Sequence, residues 1–477
     1  MNKSMLSIII LAISFFEAKA FCGFYVAKAD TKIFNNTSQV ILVRDGDKTI
    51  ITMSNDFSGN VKDFAMVIPV PEVILKKNIR VADQSLFTKL ESYSAPRLVD
   101  YYDQNPCQTY EREEVLFMPS SNADMSYTLT KESRKDKSYG VKIQAQYSVG
   151  EYDIIVLSAK QSNGLKKWLL DNGYKIPKDA DEVLDPYIRS NMKFFVAKVN
   201  VNAYNKNEYN QLRPLQITMN STKFMLPIRL GMANSKGAQD LIIYTLTKKG
   251  QVECTNYRTQ KIPSEIDIPE FVQQDFGRFY KDLFKRKWKR EAEQSVFLEY
   301  AWDISLSNYV KCDPCVSTPP DRRDLKEAGV WWIADEQNAY NEKLFFTRLH
   351  VRYARKTFPQ DLMFQITPNN KNWQVRYILH HPATGNLSCS YAGAYIKEVN
   401  ERRKNELKNL EKYTGWDISE YNDYPYTWNN QTYRAKAIRK GAWYSEMNIP
   451  LILLYIGLQI GLVYFAIQFH KGRLKSA

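Results

Sequence analysis

Histidine is scarce in this chain: His350, His380, His381 and His470 are its four among 477 residues. There is no His-Glu-x-x-His stretch and no Gly-x-Ser-x-Gly elbow, so the zinc-protease and serine-hydrolase signatures are both missing. The pair His380-His381 stands before Pro382 at an expected strand end and reads as surface or hydrogen-bonded histidine. Zinc is disfavoured as well, because no second Cys or His pair accompanies Cys312-Asp-Pro-Cys315 at ligand spacing. The chain has neither an internal repeat nor a nucleic-acid recognition module. Carboxylates abound, but no two can be singled out as acid and base. No catalytic residue, metal ligand or cofactor is assigned.

What the chain does have is an apolar run at each end. Ile449 to Phe469 carries no charge and is long enough to cross a hydrocarbon core of roughly 30 Å as a helix. At the N-terminus, Lys3, the apolar residues 5–16 and Ala18-Lys19-Ala20 form a secretory signal with cleavage expected after Ala20. An uncleaved anchor fits less well, since the run is too short to span and Glu17 closes it. The mature N-terminus is then outside, and Lys471, Arg473 and Lys475 lie in the cytoplasm. Arg434, Lys436, Arg439 and Lys440 flank the outer side, so the signal rather than loop charge sets the orientation. Trp443 and Tyr444 suit the outer interface. The expected organisation is residues 1–20 signal peptide, 21–260 a β-rich exported subdomain, 261–446 an α+β exported subdomain with a juxtamembrane segment, 447–469 the membrane helix and 470–477 a cytoplasmic tail. The expected location is the bacterial cytoplasmic membrane, with the N-terminal domain outside.

All six cysteines fall in the exported part, where an even count points to disulfides. Cys312 and Cys315 are the closest pair, and Cys22 with Cys107 and Cys254 with Cys389 would then remain. The Cys-x-x-Cys spacing also suits thiol–disulfide exchange, but Pro319-Pro320 leaves no room for the helix that would stabilise a thiolate, which favours a structural bond. Hydrophobic residues at 44% and charged residues at 25% are ordinary for a globular chain. The formal charge of +14 favours an anionic envelope ligand or acidic lipid headgroups over nucleic acid.

The patterning predicts α+β architecture, mostly antiparallel. Residues 39–53 form a hairpin around Asp45-Gly46-Asp47, and 64–70, 141–148 and 152–157 are strands. Helices are expected over 164–173 and 180–190, then a strand over 193–201 and a meander of four strands near 215, 225, 241 and 251. Residues 105–139 read as an exposed loop. Residues 269–293 form the best soluble helix, whose aromatic stripe is core or, alternatively, a membrane-surface face. Strands follow at 295–305, 344–353, 362–367 and 373–380, then a charged helix over 391–413 and a tether or lid over 416–442. Trp331, Trp332, Trp373, Trp416 and Trp428 can stack on sugars but fit core positions better. Gly457 and Gly461 form a GxxxG face for helix packing, by self-association or with a membrane-protein partner.

Phe21-Cys-Gly-Phe-Tyr-Val-Ala-Lys-Ala-Asp30, Phe64-Ala-Met-Val-Ile-Pro-Val-Pro71, Tyr93-Ser-Ala-Pro-Arg-Leu-Val99, Leu226-Pro-Ile-Arg-Leu-Gly231, Thr255-Asn-Tyr-Arg258, Cys312-Asp-Pro-Cys315 and Thr414-Gly-Trp416 together resemble the bacterial DUF2330 family. The resemblance implies a bacterial envelope protein and supplies no activity; Cys254 is atypical of its pattern. The leading expectation is a non-catalytic binding or scaffolding domain. The alternatives are an envelope enzyme, either a hydrolase of glycans or peptides or an exchanger using Cys312 and Cys315, and a subunit of a membrane complex.

Overall fold

The computed structural model describes residues 38–54, 65–108, 140–171, 180–206, 212–233, 237–305, 318–333 and 342–428. The signal, Cys22, residues 109–139, Cys312, Cys315, the apolar run with Gly457 and Gly461, and the tail lie outside the described residues. No helix among the described residues is long and apolar enough to cross a membrane. The fold is mixed α+β.

Two compact units interleave along the chain, one of residues 1–97, 115–265 and 284–376, the other of 98–114, 266–283 and 377–477. In the first unit the largest sheet grows from the expected hairpin. Ser38–Asp45 pairs with Lys48–Met53, and Gly46 turns between them at φ 57°, a left-handed backbone that costs glycine no Cβ clash. Ser38–Asp45 also pairs in parallel with Gln239–Thr247, which pairs antiparallel with Phe345–Tyr353. Ser295–Asp303 follows, with Arg258–Lys261 in parallel at its far side. Leu215–Asn220 and Ile79–Val81 extend the other side of the hairpin. The central strands are apolar on both faces because each face has a core: Val40 and Leu42 join one cluster, Ile41 and Val43 the other. Since Arg258–Lys261 and Ser295–Asp303 share a sheet with Ser38–Met53, a cut near residue 260 does not divide the units.

The expected meander does not form. Gln239–Thr247 is buried on both sides between Ser38–Asp45 and Phe345–Tyr353, and Val252–Cys254 pairs instead with Leu362–Ile366. Gly250 redirects the chain at φ 149°, where a Cβ would stand 2.6 Å from the Thr367 carbonyl oxygen. Met225–Leu226 pairs on the other edge of Leu362–Ile366. A third, antiparallel sheet joins Ala65–Val70, Lys193–Val199, Tyr152–Ala159 and Val141–Val149. Helices Ser162–Asp171 and Ala180–Arg189 pack against it through Leu165, Trp168, Leu169, Leu184 and Tyr187.

The second unit holds a three-stranded sheet of Ile266–Asp267, Arg376–His381 and Arg97–Tyr102 with the helix Ala392–Thr414. Its disulfide corrects the expected pairing: Cys107 bonds Cys389, with Cα atoms 5.5 Å apart. Asn105 explains the approach, its side-chain amide donating to the carbonyls of Thr384 and Asn386. Cys254 is a free, buried thiol among the apolar residues of the first unit, so neither the Cys254–Cys389 nor the Cys22–Cys107 pairing forms. The start of the expected tether packs on the second unit, where the buried Tyr424 donates to Glu406 and Tyr421 stacks on Phe271. The aromatic stripe of Phe276–Arg290 is core, with Phe279, Tyr280, Leu283, Phe284 and Trp288 all buried; the membrane-surface face is not available.

Candidate binding cleft

Within the first unit a cleft of about 390 Å³ opens where three sequence motifs meet. One wall is the end of helix Ala180–Arg189. Met192 donates its N–H to the Tyr187 carbonyl and Asn191 donates to Ile188, with Asn191 left-handed at φ 55°. That closure of a helix C-terminus places Ser190 and Met192 along the cleft. A second wall is the turn Ser221-Thr222-Lys223, drawn in by the Lys223 N–H donating to Ser221 Oγ.

The floor is Asp361, and the motif residues hold it. The Asn256 side chain donates to the Asp361 carbonyl at 2.8 Å and accepts from the Met363 N–H at 3.0 Å, gripping this strand like a backbone partner. Tyr257 binds both backbone groups of Gln360. The Leu226–Gly231 motif arrives from the other side: Ile228 and Arg229 donate their N–H groups to Asp361 Oδ1 at 2.9 and 3.2 Å, and Tyr187 Oη donates to the same oxygen at 2.6 Å. Pro71, the last residue of a third motif, completes the rim with Pro186, Met225 and Met363.

Asp361 is 6% exposed. Burial pushes its carboxyl above the ordinary range, against the pull of Tyr187 and Arg229. The Tyr187 phenol is raised too, by burial and then by the Asp361 charge. Arg229 Nε stands 3.6 Å from Asp361 Oδ2, an ion pair beyond hydrogen-bond range, and the guanidinium lies over the Tyr187 ring at 5.9 Å. Nε is buried without an acceptor. The geometry therefore presents unused cationic donors beside one engaged carboxylate, and it can bind an anion.

The same unit carries a second set of buried charges, on the sheet and the helix Ser85–Ser94. Arg348 donates through Nε to Glu299 at 2.6 Å and through both terminal nitrogens to Glu91 at 2.8 and 3.0 Å. Tyr244 donates to Glu91 as well. His350 bridges Glu299 and Asp240 at 2.8 and 3.2 Å and stacks on Phe284. Burial alone would lower the His350 pKa, but the Glu299 charge and the bond to Asp240 override it and raise the ring to about 9.

The residues expected to matter are scattered. Cys254 lies behind the cleft wall, its thiol donating to Asn256 and its pKa raised by burial. His380 bonds Asp267, and His381 bonds Asp100. Lysines lie over Trp331, Trp332 and Trp373, and Trp416 donates to Asp282. Asp361, Lys223 and Tyr187 carried no local signal. The motifs around Arg229 and Asn256 did, as segments that carry the family resemblance.

Comparison with known proteins adds the family. Residues 16–365 match the family model described as an uncharacterised protein conserved in bacteria, DUF2330. The chain belongs to this family. The DUF2330 match thus takes in every described residue that lines the cleft. No curated protein matches the sequence. Among solved structures, a mutated baculovirus P35 after caspase cleavage is similar at 12% identity over 45% of this chain and 66% of that one, with a TM-score of 0.26. The caspase-8/P35 complex is similar at 12% identity over 46% and 66%, with a TM-score of 0.25. The chain spans just under two thirds of these P35 chains.

Proposed function

We propose that this DUF2330 protein is a bacterial envelope protein, anchored to the cytoplasmic membrane by residues 447–469, whose exported domain binds a small anionic ligand in the cleft without transforming it. The observation that carries the reading is Arg229, a partly buried guanidinium aimed at a cleft with none of its donors satisfied by a hydrogen bond among the described residues. Such unpaired donors make charge-assisted hydrogen bonds to an anion that enters the cleft. A volume of about 390 Å³ suits a small molecule. Hydrolysis has less support: among the described residues Asp361 is the one carboxylate in the lining, and no histidine lines the cleft with Ser190 or Ser221. The signal sequence, the apolar run and the positive tail support the location, and the proposal assigns Gly457 and Gly461 to helix packing within the membrane.

Native mass spectrometry of the full chain, released from alkali-washed membranes by mild detergent, tests both parts. The chain should stay with the membranes through the wash and carry a small anion that the Arg229→Gln variant lacks. Recovery in the wash would contradict the anchor, and an equal ligand load on the variant would contradict the cleft.

A further inference from the structure

Asp361 and Arg229 leave opposite capacities unused within one cleft. Asp361 Oδ1 takes three donors, Tyr187 Oη and the N–H groups of Ile228 and Arg229, whereas Oδ2 accepts no hydrogen bond among the described residues. The side chain is 8% exposed. Lining the same cleft are Arg229, whose guanidinium makes no hydrogen bond among the described residues and whose Nε is buried without an acceptor, and Lys223, whose ammonium has no partner among the described residues. Two cations against one carboxylate among the described residues leave an excess of positive charge, so the complementary ligand is an anion of about one to two negative charges with a group that can donate to Oδ2.

These requirements narrow the chemistry. The guanidinium fork and the ammonium together offer more donors than the two oxygens of a carboxylate can accept; a phosphate has enough oxygens and matches the fork. The group on Asp361 is a hydroxyl rather than an ammonium for two reasons. An ammonium would add a third cation beside Arg229 and Lys223. Burial also raises the Asp361 carboxyl, and a hydroxyl pairs with it whether it is ionised or protonated. Met192, Met225, Met363 and Pro186 supply an adaptable apolar surface for a short carbon skeleton.

Resting on the reading of the cleft as an anion site, we infer that it takes a hydroxylated phosphoester of the glycerol phosphate kind, phosphate on Arg229 and Lys223 and hydroxyl on Asp361 Oδ2. Such a group is available as a free ester or as the headgroup of phosphatidylglycerol.

Calorimetric titration of the full chain in an uncharged detergent, with sn-glycerol 3-phosphate, phosphoethanolamine and inorganic phosphate as probes, tests it. Glycerol phosphate should bind at least about tenfold more tightly than either other probe, reflecting the added charge-assisted bond. Lys223→Gln should weaken it by about tenfold, and Arg229→Gln should abolish it. Lys223 is exposed and sits in a surface turn, so its replacement leaves the fold intact. Inorganic phosphate or phosphoethanolamine binding as tightly, and lost in Arg229→Gln, would overturn the hydroxyl requirement while the anion site stands. Binding of none of the three to a wild-type chain with a cooperative thermal transition would overturn both. Titration in nanodiscs separates the sources: phosphatidylglycerol discs that block glycerol phosphate binding, where phosphatidylcholine discs do not, mark the headgroup as ligand, and equal binding in both marks the free ester.

Discussion

Two arginines in one unit of this protein show what partnering means. Arg348, wholly buried, spends every nitrogen on Glu91 and Glu299, and His350 bridges Glu299 and Asp240. Arg229 lies partly buried over Tyr187, with one carboxylate nearby and no hydrogen bond to it from the guanidinium. Buried charge of the first kind is closed: it fixes register between the helix Ser85–Ser94 and the sheet, and nothing further can bind there. Charge of the second kind is open among the described residues, and the proposed anion would be its partner. Satisfaction, more than burial, separates a structural ion set from a candidate site.

The largest effect should come from opening the closed set. Glu299→Ala removes the acceptor of both Arg348 Nε and His350 Nδ1 and should destabilise the first unit by roughly 3–5 kcal/mol in denaturant unfolding; a loss under about 1 kcal/mol would mean that the network is not closed.

The pH dependence comes next. His350 has a folded pKa of about 9 against its ordinary 6.5, so its stabilisation is fully present below pH 6.5 and is lost as pH rises through 9. The thermal midpoint should fall across that window and fall less in His350→Gln. An identical slope in the variant would place the titration elsewhere.

The smallest effect belongs to the open site. Arg229→Gln gives up a long ion pair and a ring contact and should cost less than about 1 kcal/mol in the same unfolding experiment. A cost matching that of Glu299→Ala would make Arg229 a second structural arginine.

How much of this was legible beforehand follows from the range of the interactions. The hairpin at Gly46 and the aromatic stripe from Phe279 to Trp288 are local patterns, and they fold as read. The other partners of the hairpin strands are not local. Ser38–Asp45 lies parallel to Gln239–Thr247, a pairing that no periodicity specifies, and the four strands of the expected meander divide between two sheets for the same reason. Cys254 was misjudged because counting cysteines ignores their surroundings; its place after Val252, alternating into the core, marks it as buried. At the cleft, the Leu226–Gly231 and Thr255–Arg258 motifs stood out as segments, but their purpose is to hold Asp361, more than a hundred residues on, and only the fold brings them together.

The most direct test is the thermal shift that 10 mM sn-glycerol 3-phosphate, a concentration of roughly usual metabolite-binding excess, gives to the full-length wild type, Arg229→Gln and Glu91→Gln. The account predicts a raised midpoint for the wild type and for Glu91→Gln, whose own midpoint is lower, and no shift for Arg229→Gln. A shift that survives in Arg229→Gln, or one that disappears in Glu91→Gln alone, would contradict the division into an open site and a closed one.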